Sequence, residues 1–126
     1  MTGEQVAFYS EQFDRCWPWL AEAVDSYGRT HGKDDVWREI EAGDAQFWPF
    51  PSSAIVTNIN KYPTGLKEFR FWLAGGDLDE LQAAEPHLAA YAKGLGCQSI
   101  TICGRRGWVR SLPGYREAAT LMSKDL

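Results

Sequence analysis

The stretch SAIVTNINKYPTGLKEFRFWLA, Ser53 to Ala74, decides the fold of this chain. Successive side chains of a strand point to opposite faces. In the first run Ile55, Thr57 and Ile59 therefore share one face, opposite Val56 and Asn58. Tyr62–Gly65 places a proline at the second position of a turn, where a fixed φ is favourable. Beyond it Phe69, Phe71 and Leu73 alternate with Arg70 and Trp72. Two alternating runs joined by a Pro-Gly turn predict an antiparallel hairpin.

Working outward, the period changes from two to that of a helix. Upstream, VAFYS (Val6–Ser10) reads as a short strand. Ser10 then caps a helix with Phe13, Trp17, Leu20 and Val24 at helical spacing, and Gly28 stops it. Pro18 falls inside this pattern, where it kinks the helix or begins its second half. DDVWREIEAG (Asp34–Gly43) reads as an Asp-capped second helix with Val36, Trp37 and Ile40 as its apolar stripe.

Downstream, a helix whose better half starts at Pro86 carries Leu88, Tyr91, Ala92 and Leu95, and Gly96 ends it. SITIC (Ser99–Cys103) is a strand with Ile100 and Ile102 facing one way. A short helix from Arg106 to Leu112, a turn at Pro113-Gly114 and a last strand in YREAATLMSKDL (Tyr115–Leu126) complete the reading. These elements predict an α+β domain spanning residues 1–126, with one mixed, mostly antiparallel sheet and helices on both faces. The β-α-β unit near the end implies a parallel pair with a right-handed crossover.

The bulk numbers exclude several classes. Of 126 residues, 44% are apolar and 24% charged, as in an ordinary soluble globule. Cys16, Cys97 and Cys103 make an odd count with no C-x-x-C pair, which argues against a disulfide scaffold or zinc site and suits a reducing interior. The N-terminus lacks the basic and apolar segments of a signal peptide, and no apolar run reaches the ~20 residues that span a bilayer. A soluble, cytoplasmic protein is expected, without membrane attachment. A net charge of −4 argues against nucleic acid as a partner. The charge is uneven: residues 1–48 hold ten acidic and four basic residues, whereas residues 104–126 hold five basic and two acidic.

The order of elements resembles the acyl-CoA N-acyltransferase (GNAT) fold over nearly the whole chain. More narrowly, VWREIEAGDAQFW, AIVTNINKYP, WLAGGDLDEL, AKGLGC and GRRGWVRSLPGY occur in that order. Together they resemble a group of small GNAT-like proteins of tailed bacteriophages and prophages, encoded near head and assembly genes. The resemblance implies a GNAT-like domain in the bacterial host cytoplasm or the virion. Its partners would be other phage structural or assembly proteins, and oligomerisation is left open.

The acyltransfer chemistry of that fold is not evident in these residues. A GNAT enzyme holds the coenzyme A pyrophosphate on backbone N–H groups of a Gln/Arg-x-x-Gly-x-Gly/Ala loop, as a helix N-terminus holds phosphate. The matching place, AGGDLDELQAAEP (Ala74–Pro86), keeps Gly75 and Gly76 as a vestige but lacks the remaining pattern. Asp77, Asp79, Glu80 and Glu85 crowd the same turn. Like charges 4–6 Å apart cost about 3 kcal/mol per pair at an effective dielectric near 20. The family's tyrosine general acid would fall at Val109 or Arg110, and Tyr115 comes too late; Glu68, on a strand where some members carry a base, reads as a solvated residue. No catalytic residue and no cofactor are expected. The alternative is a small acyl-CoA-dependent N-acetyltransferase using acetyl-CoA.

Other chemistry finds little footing. His31 and His87 have no Cys or His partner at metal-ligand spacing, and Ser52 and Ser53 lack a nucleophile-elbow context. Trp17, Trp37 and Trp72 sit in periodic segments and read as core, while Trp48 lies in the proline-flanked FWPFP. GRRGWVRSLPGY (Gly104–Tyr115) gathers arginines, glycines and aromatics, the composition that protein interfaces favour. Arg105, Arg106, Trp108, Arg110, Tyr115 and Trp48 are therefore the candidate docking surface, and the expected role is virion assembly through protein–protein contacts.

Overall fold

The computed structural model describes residues 2–25, 29–103 and 111–126. Among the described residues three helices and four strands follow the order α1 (Gly3–Asp25), α2 (Lys33–Glu41), β1 (Ala45–Phe50), β2 (Ser53–Lys61), β3 (Lys67–Gly76), α3 (Leu78–Gly94) and β4 (Ser99–Ile102). The architecture is α+β. The sheet order is β1-β2-β3-β4, with β1–β2 and β2–β3 antiparallel and β3–β4 parallel.

The expected hairpin is β2–β3. Its turn closes with Gly65 N donating to the Tyr62 carbonyl at 2.9 Å, and Tyr62 N donating to the Leu66 carbonyl at 2.9 Å. The alternation on β2 holds. Ala54 and Val56 enter one core cluster with α1 and α2, while Ile55 enters the other with α3. Helices thus cover both faces of the sheet.

On β3 the expected alternation fails at one residue. Val56 pairs with Leu73 but Thr57 pairs with Phe71, so Trp72 is an extra residue. Such a bulge reverses the facing of everything beyond it. Phe69 and Phe71 face α3, whereas Leu73 joins the α1–α2 cluster with Trp72 packed beside it.

The N-terminal strand expected at Val6–Ser10 is helix, and Ser10 is interior to α1 rather than its cap. The start is set by Thr2-x-x-Gln5. Thr2 Oγ1 accepts from Gln5 N at 3.2 Å and Gln5 Oε1 accepts from Thr2 N at 2.9 Å, a reciprocal capping box. Once begun there, Phe13, Cys16, Leu20 and Val24 form the buried stripe, and α1 runs through Pro18. For α2, Gly32 rather than an Asp stands at the N-cap, with Asp35 Oδ2 accepting from Gly32 N at 2.8 Å. The tryptophans read as core, Trp17, Trp37 and Trp72, are partly buried against the first cluster.

The third helix starts at Leu78, eight residues before Pro86, and buries Leu81, Ala84, Leu88 and Ala92. Tyr91 and Leu95, expected in that stripe, are 40% and 37% exposed. The proline-flanked segment around Trp48 is strand β1, an edge strand, where proline is tolerated. The expected last strand is not formed: residues 116–126 have no regular structure and are exposed. Leu112 is buried and Tyr115 N donates to the Leu112 carbonyl at 3.4 Å, which makes the turn expected at Pro113-Gly114. Most of the short helix expected at Arg106–Leu112, and the stop expected at Gly28, lie outside the described residues. No helix among the described residues is long and apolar enough to cross a membrane.

Candidate docking surface and the start of the third helix

The glycine pair lies where β3 delivers the chain into α3. A Cβ on Gly75 would overlap the backbone carbonyl of Trp19 in α1, and one on Gly76, whose φ is +108°, would overlap the Ser52 carbonyl and Ser53. Both glycines are therefore required by close backbone packing. Asp77 N donates to the Ser52 carbonyl at 2.9 Å, which ties this corner to the β1–β2 turn.

The positive end of α3 is held by the protein's own groups. Asp77 is the N-cap, its Oδ1 accepting from Asp79 N at 3.0 Å. Glu80 Oε1 accepts from Ser52 N at 2.8 Å and from the Ser53 hydroxyl at 2.5 Å. Carboxylates in a first turn complement the helix dipole, and Glu80 also satisfies the hydroxyl of fully buried Ser53. Glu85, expected in the same cluster, stands two turns further on and serves the C-terminal segment instead. The Tyr115 hydroxyl donates to Glu85 Oε1 at 3.0 Å. Burial of Tyr115, then the Glu85 charge and this hydrogen bond, raise the phenol well above its ordinary value. Beside it, Gln82 Nε2 donates to the Ser111 carbonyl at 2.9 Å.

Trp48 sits on β1 facing the α3 side of the sheet. Its indole Nε1 donates to Thr57 Oγ1 at 2.9 Å, and Thr57 in turn donates to Gln46 Oε1 at 2.9 Å. The ring meets Tyr91 edge-on at 5.1 Å. The polar end of Trp48 is thus committed inside, while its ring, with Phe50, remains half-buried at the rim. Gln82 and Tyr91 are nine positions apart, about two and a half helical turns, so they project from opposite flanks of α3. Trp48 belongs to the Tyr91 flank and Tyr115 to the other, and these two expected docking residues do not form one patch. Arg105, Arg106, Trp108 and Arg110 lie outside the described residues.

Glu68 sits at the hairpin end of β3, accepting from Asn60 Nδ2 at 3.1 Å and from the Tyr62 hydroxyl at 3.4 Å. A cavity of about 480 Å³ lies between α1 and α2, lined by Trp17, Arg29, His31 and Lys33 among others. Its charges are paired locally: Lys33 with Asp14 at 2.7 Å and Arg29 with Asp25 at 3.9 Å. His31 packs edge-on against Trp72 at 4.9 Å. Among the described residues, no group of three His, Cys, Asp or Glu is placed to hold a metal ion.

The sequence reading missed the Glu80–Ser52–Ser53 clasp, the Trp48–Thr57–Gln46 relay and the Tyr115–Glu85 bond. The clasp and the Tyr115 bond join residues 27 to 30 positions apart, so no local pattern announces them. The relay spans a strand pair whose outer member was itself unread. No family model matches the chain, and no curated protein or solved structure is significantly similar to it.

Proposed function

We propose that this chain is a GNAT-like scaffold without acyl transfer, which acts through protein–protein contacts in the assembly of a tailed phage particle or as a minor virion component. The observation that carries the non-enzymatic part is the occupied start of α3. Asp77 caps it, Glu80 is clasped by Ser52 and Ser53, and Gly75 and Gly76 are consumed by backbone packing. A diphosphate seated there would meet Asp77, Asp79 and Glu80 at close range, which costs about 3 kcal/mol per like-charge pair. The GNAT likeness is supported by the β-α-β arrangement of β3, α3 and β4 with its parallel pair. The phage setting rests on the five ordered motifs described above.

Two experiments test the reading. Acetyl-CoA at 1 mM should leave the thermal midpoint unchanged; a ligand bound at 10 μM would add about 2.7 kcal/mol of stability. A clear upward shift overturns the scaffold reading in favour of an acetyltransferase. In a prophage that carries the frame beside its head genes, inactivating it should lower the yield of intact particles after induction. An undiminished yield refutes the assembly role.

A further inference from the structure

The α1–α2 side of the sheet changes character toward the β2–β3 turn. Ala54, Val56 and Leu73 are buried there against the two helices. The next two rows of side chains on that side are polar across three strands. Strand register sets Asn58 opposite Arg70, with Thr101 of β4 beside Arg70. In the second row Asn60 stands opposite Glu68, with Ser99 beside Glu68. Their facing follows from alternation, because Ile59, Phe69, Phe71, Ile100 and Ile102 lie between them and all pack on the α3 side. The bond from Asn60 Nδ2 to Glu68 Oε1 at 3.1 Å fits the shared face. Ser99 is exposed and the other five are partly buried.

Three groups in this array lack the partner their chemistry calls for. Asn58 Oδ1 is buried without a hydrogen bond. Arg70 is partly buried, and among the described residues its guanidinium meets neither a carboxylate nor any other acceptor. Glu68 has no cation at ion-pair distance and is held by Asn60 and by the Tyr62 hydroxyl at 3.4 Å. Arg70 and Glu68 are two positions apart on one strand, about 6.5–7 Å between backbones. Opposite charges thus share a face without neutralising each other.

An anion alone on this face would match Arg70 but repel Glu68, and a cation alone would do the reverse. A molecule that satisfies all three groups carries both charges close together, with N–H donors on its cation. We infer that this face binds a free α-amino acid as its zwitterion. The carboxylate takes the Arg70 fork in a bidentate pair, with the Thr101 hydroxyl as a further donor. The ammonium donates to Glu68, to Asn58 Oδ1 and to Asn60 Oδ1. A single carbon joins the two groups in the ligand, and neighbouring strands are about 4.8 Å apart, so one molecule lying across β2, β3 and β4 reaches both ends. Tyr62 bounds the array at the turn. Trp72, with His31 edge-on against it at 4.9 Å, bounds it at the other end. The face lies across the sheet from α3, and the inference is independent of whether the chain binds acyl-CoA.

Amide NMR spectra of the full chain, titrated with each common α-amino acid singly up to about 20 mM, test it. At least one should shift the amides of Asn58, Asn60, Glu68, Arg70, Ser99 and Thr101. The amine lacking its carboxylate and the acid lacking its ammonium should each bind at least about tenfold more weakly, as both charges are read. Arg70→Gln and Glu68→Gln break no ion pair in the free protein. Each should weaken binding at least about tenfold, with the far-UV spectrum and thermal midpoint unchanged. Arg70→Lys, which keeps the charge without the fork, should fall between wild type and Arg70→Gln. A spectrum that no amino acid perturbs overturns the proposal, as does an acid or amine that binds as tightly as its parent. Affinity retained in both Gln variants, or shifts confined to the cavity between α1 and α2, overturns it equally.

Discussion

A Cβ added at Gly75 has nowhere to go, because the obstacle is the Trp19 backbone in the middle of α1 rather than a movable side chain. Gly75→Ala should cost about 2–3 kcal/mol by overpacking. Gly76→Ala adds a left-handed φ to a similar collision and should cost at least as much. Gly65 also has a positive φ, +91°, but meets open space, so Gly65→Ala should cost only about 1 kcal/mol. Urea unfolding of the three variants gives the ranking, and a Gly75→Ala protein as stable as Gly65→Ala contradicts the packing role. Tyr115 supplies a test in pH. Its raised phenol value means that the fold favours the neutral form. That stabilisation is complete below the unfolded value near 10 and is lost as pH rises toward the higher folded-state value. At pH 7 Tyr115→Phe should cost about 1 kcal/mol, the lost hydrogen bond of a partly buried group. The gap between wild type and variant should narrow above pH ~10. A gap constant from pH 7 to 11 rules out the bond to Glu85 as its source.

At the scale of elements, what was legible is what depends on near neighbours. The β2–β3 hairpin declares itself through two alternating runs and a turn proline. The bulge at Trp72 does not, because alternation shows which residues share a face only while pairing is regular. Strand β1 was hidden by Pro49, a residue that reads as a strand breaker unless the strand is already known to be an edge. The tail was read as a strand from its own pattern, but a strand also needs a partner. The start of α1 was legible in principle in Thr2-Gly3-Glu4-Gln5, a capping box overlooked beside the more β-like Val6–Ser10. This yields a direct test. Thr2→Ala should cost about 1 kcal/mol through loss of the cap. Ser10→Ala, in the helix interior, should change stability by less than about 0.5 kcal/mol. If Ser10→Ala proves the costlier of the two in urea unfolding, the helix begins at Ser10.

For the molecule as a whole, the sheet serves two cores rather than one. Phe13, Cys16, Leu20, Val36 and Val56 meet on the α1–α2 side, and Ile55, Phe69, Leu81, Leu88 and Ala92 on the α3 side. Adjacent residues of β2 belong to different cores, so neither core can lose its order while the strand that backs the other stays formed. The candidate site inherits this coupling, since Gly75 touches α1 while Gly76 opens into α3. Such a molecule should unfold in one step even when only one core is damaged. Leu20→Ala and Leu88→Ala are suited to the comparison, as Leu20 is fully buried and Leu88 only 2% exposed. Each should lose about 2–5 kcal/mol through the cavity left behind. Tryptophan fluorescence reports mainly on the α1–α2 side, where Trp17, Trp19, Trp37 and Trp72 pack, and far-UV circular dichroism reports on α1, α2 and α3. In both variants the two probes should give the same urea midpoint. If Leu88→Ala instead loses helix signal at a lower urea concentration than fluorescence, α3 melts as a separate unit and the two cores are not coupled through β2.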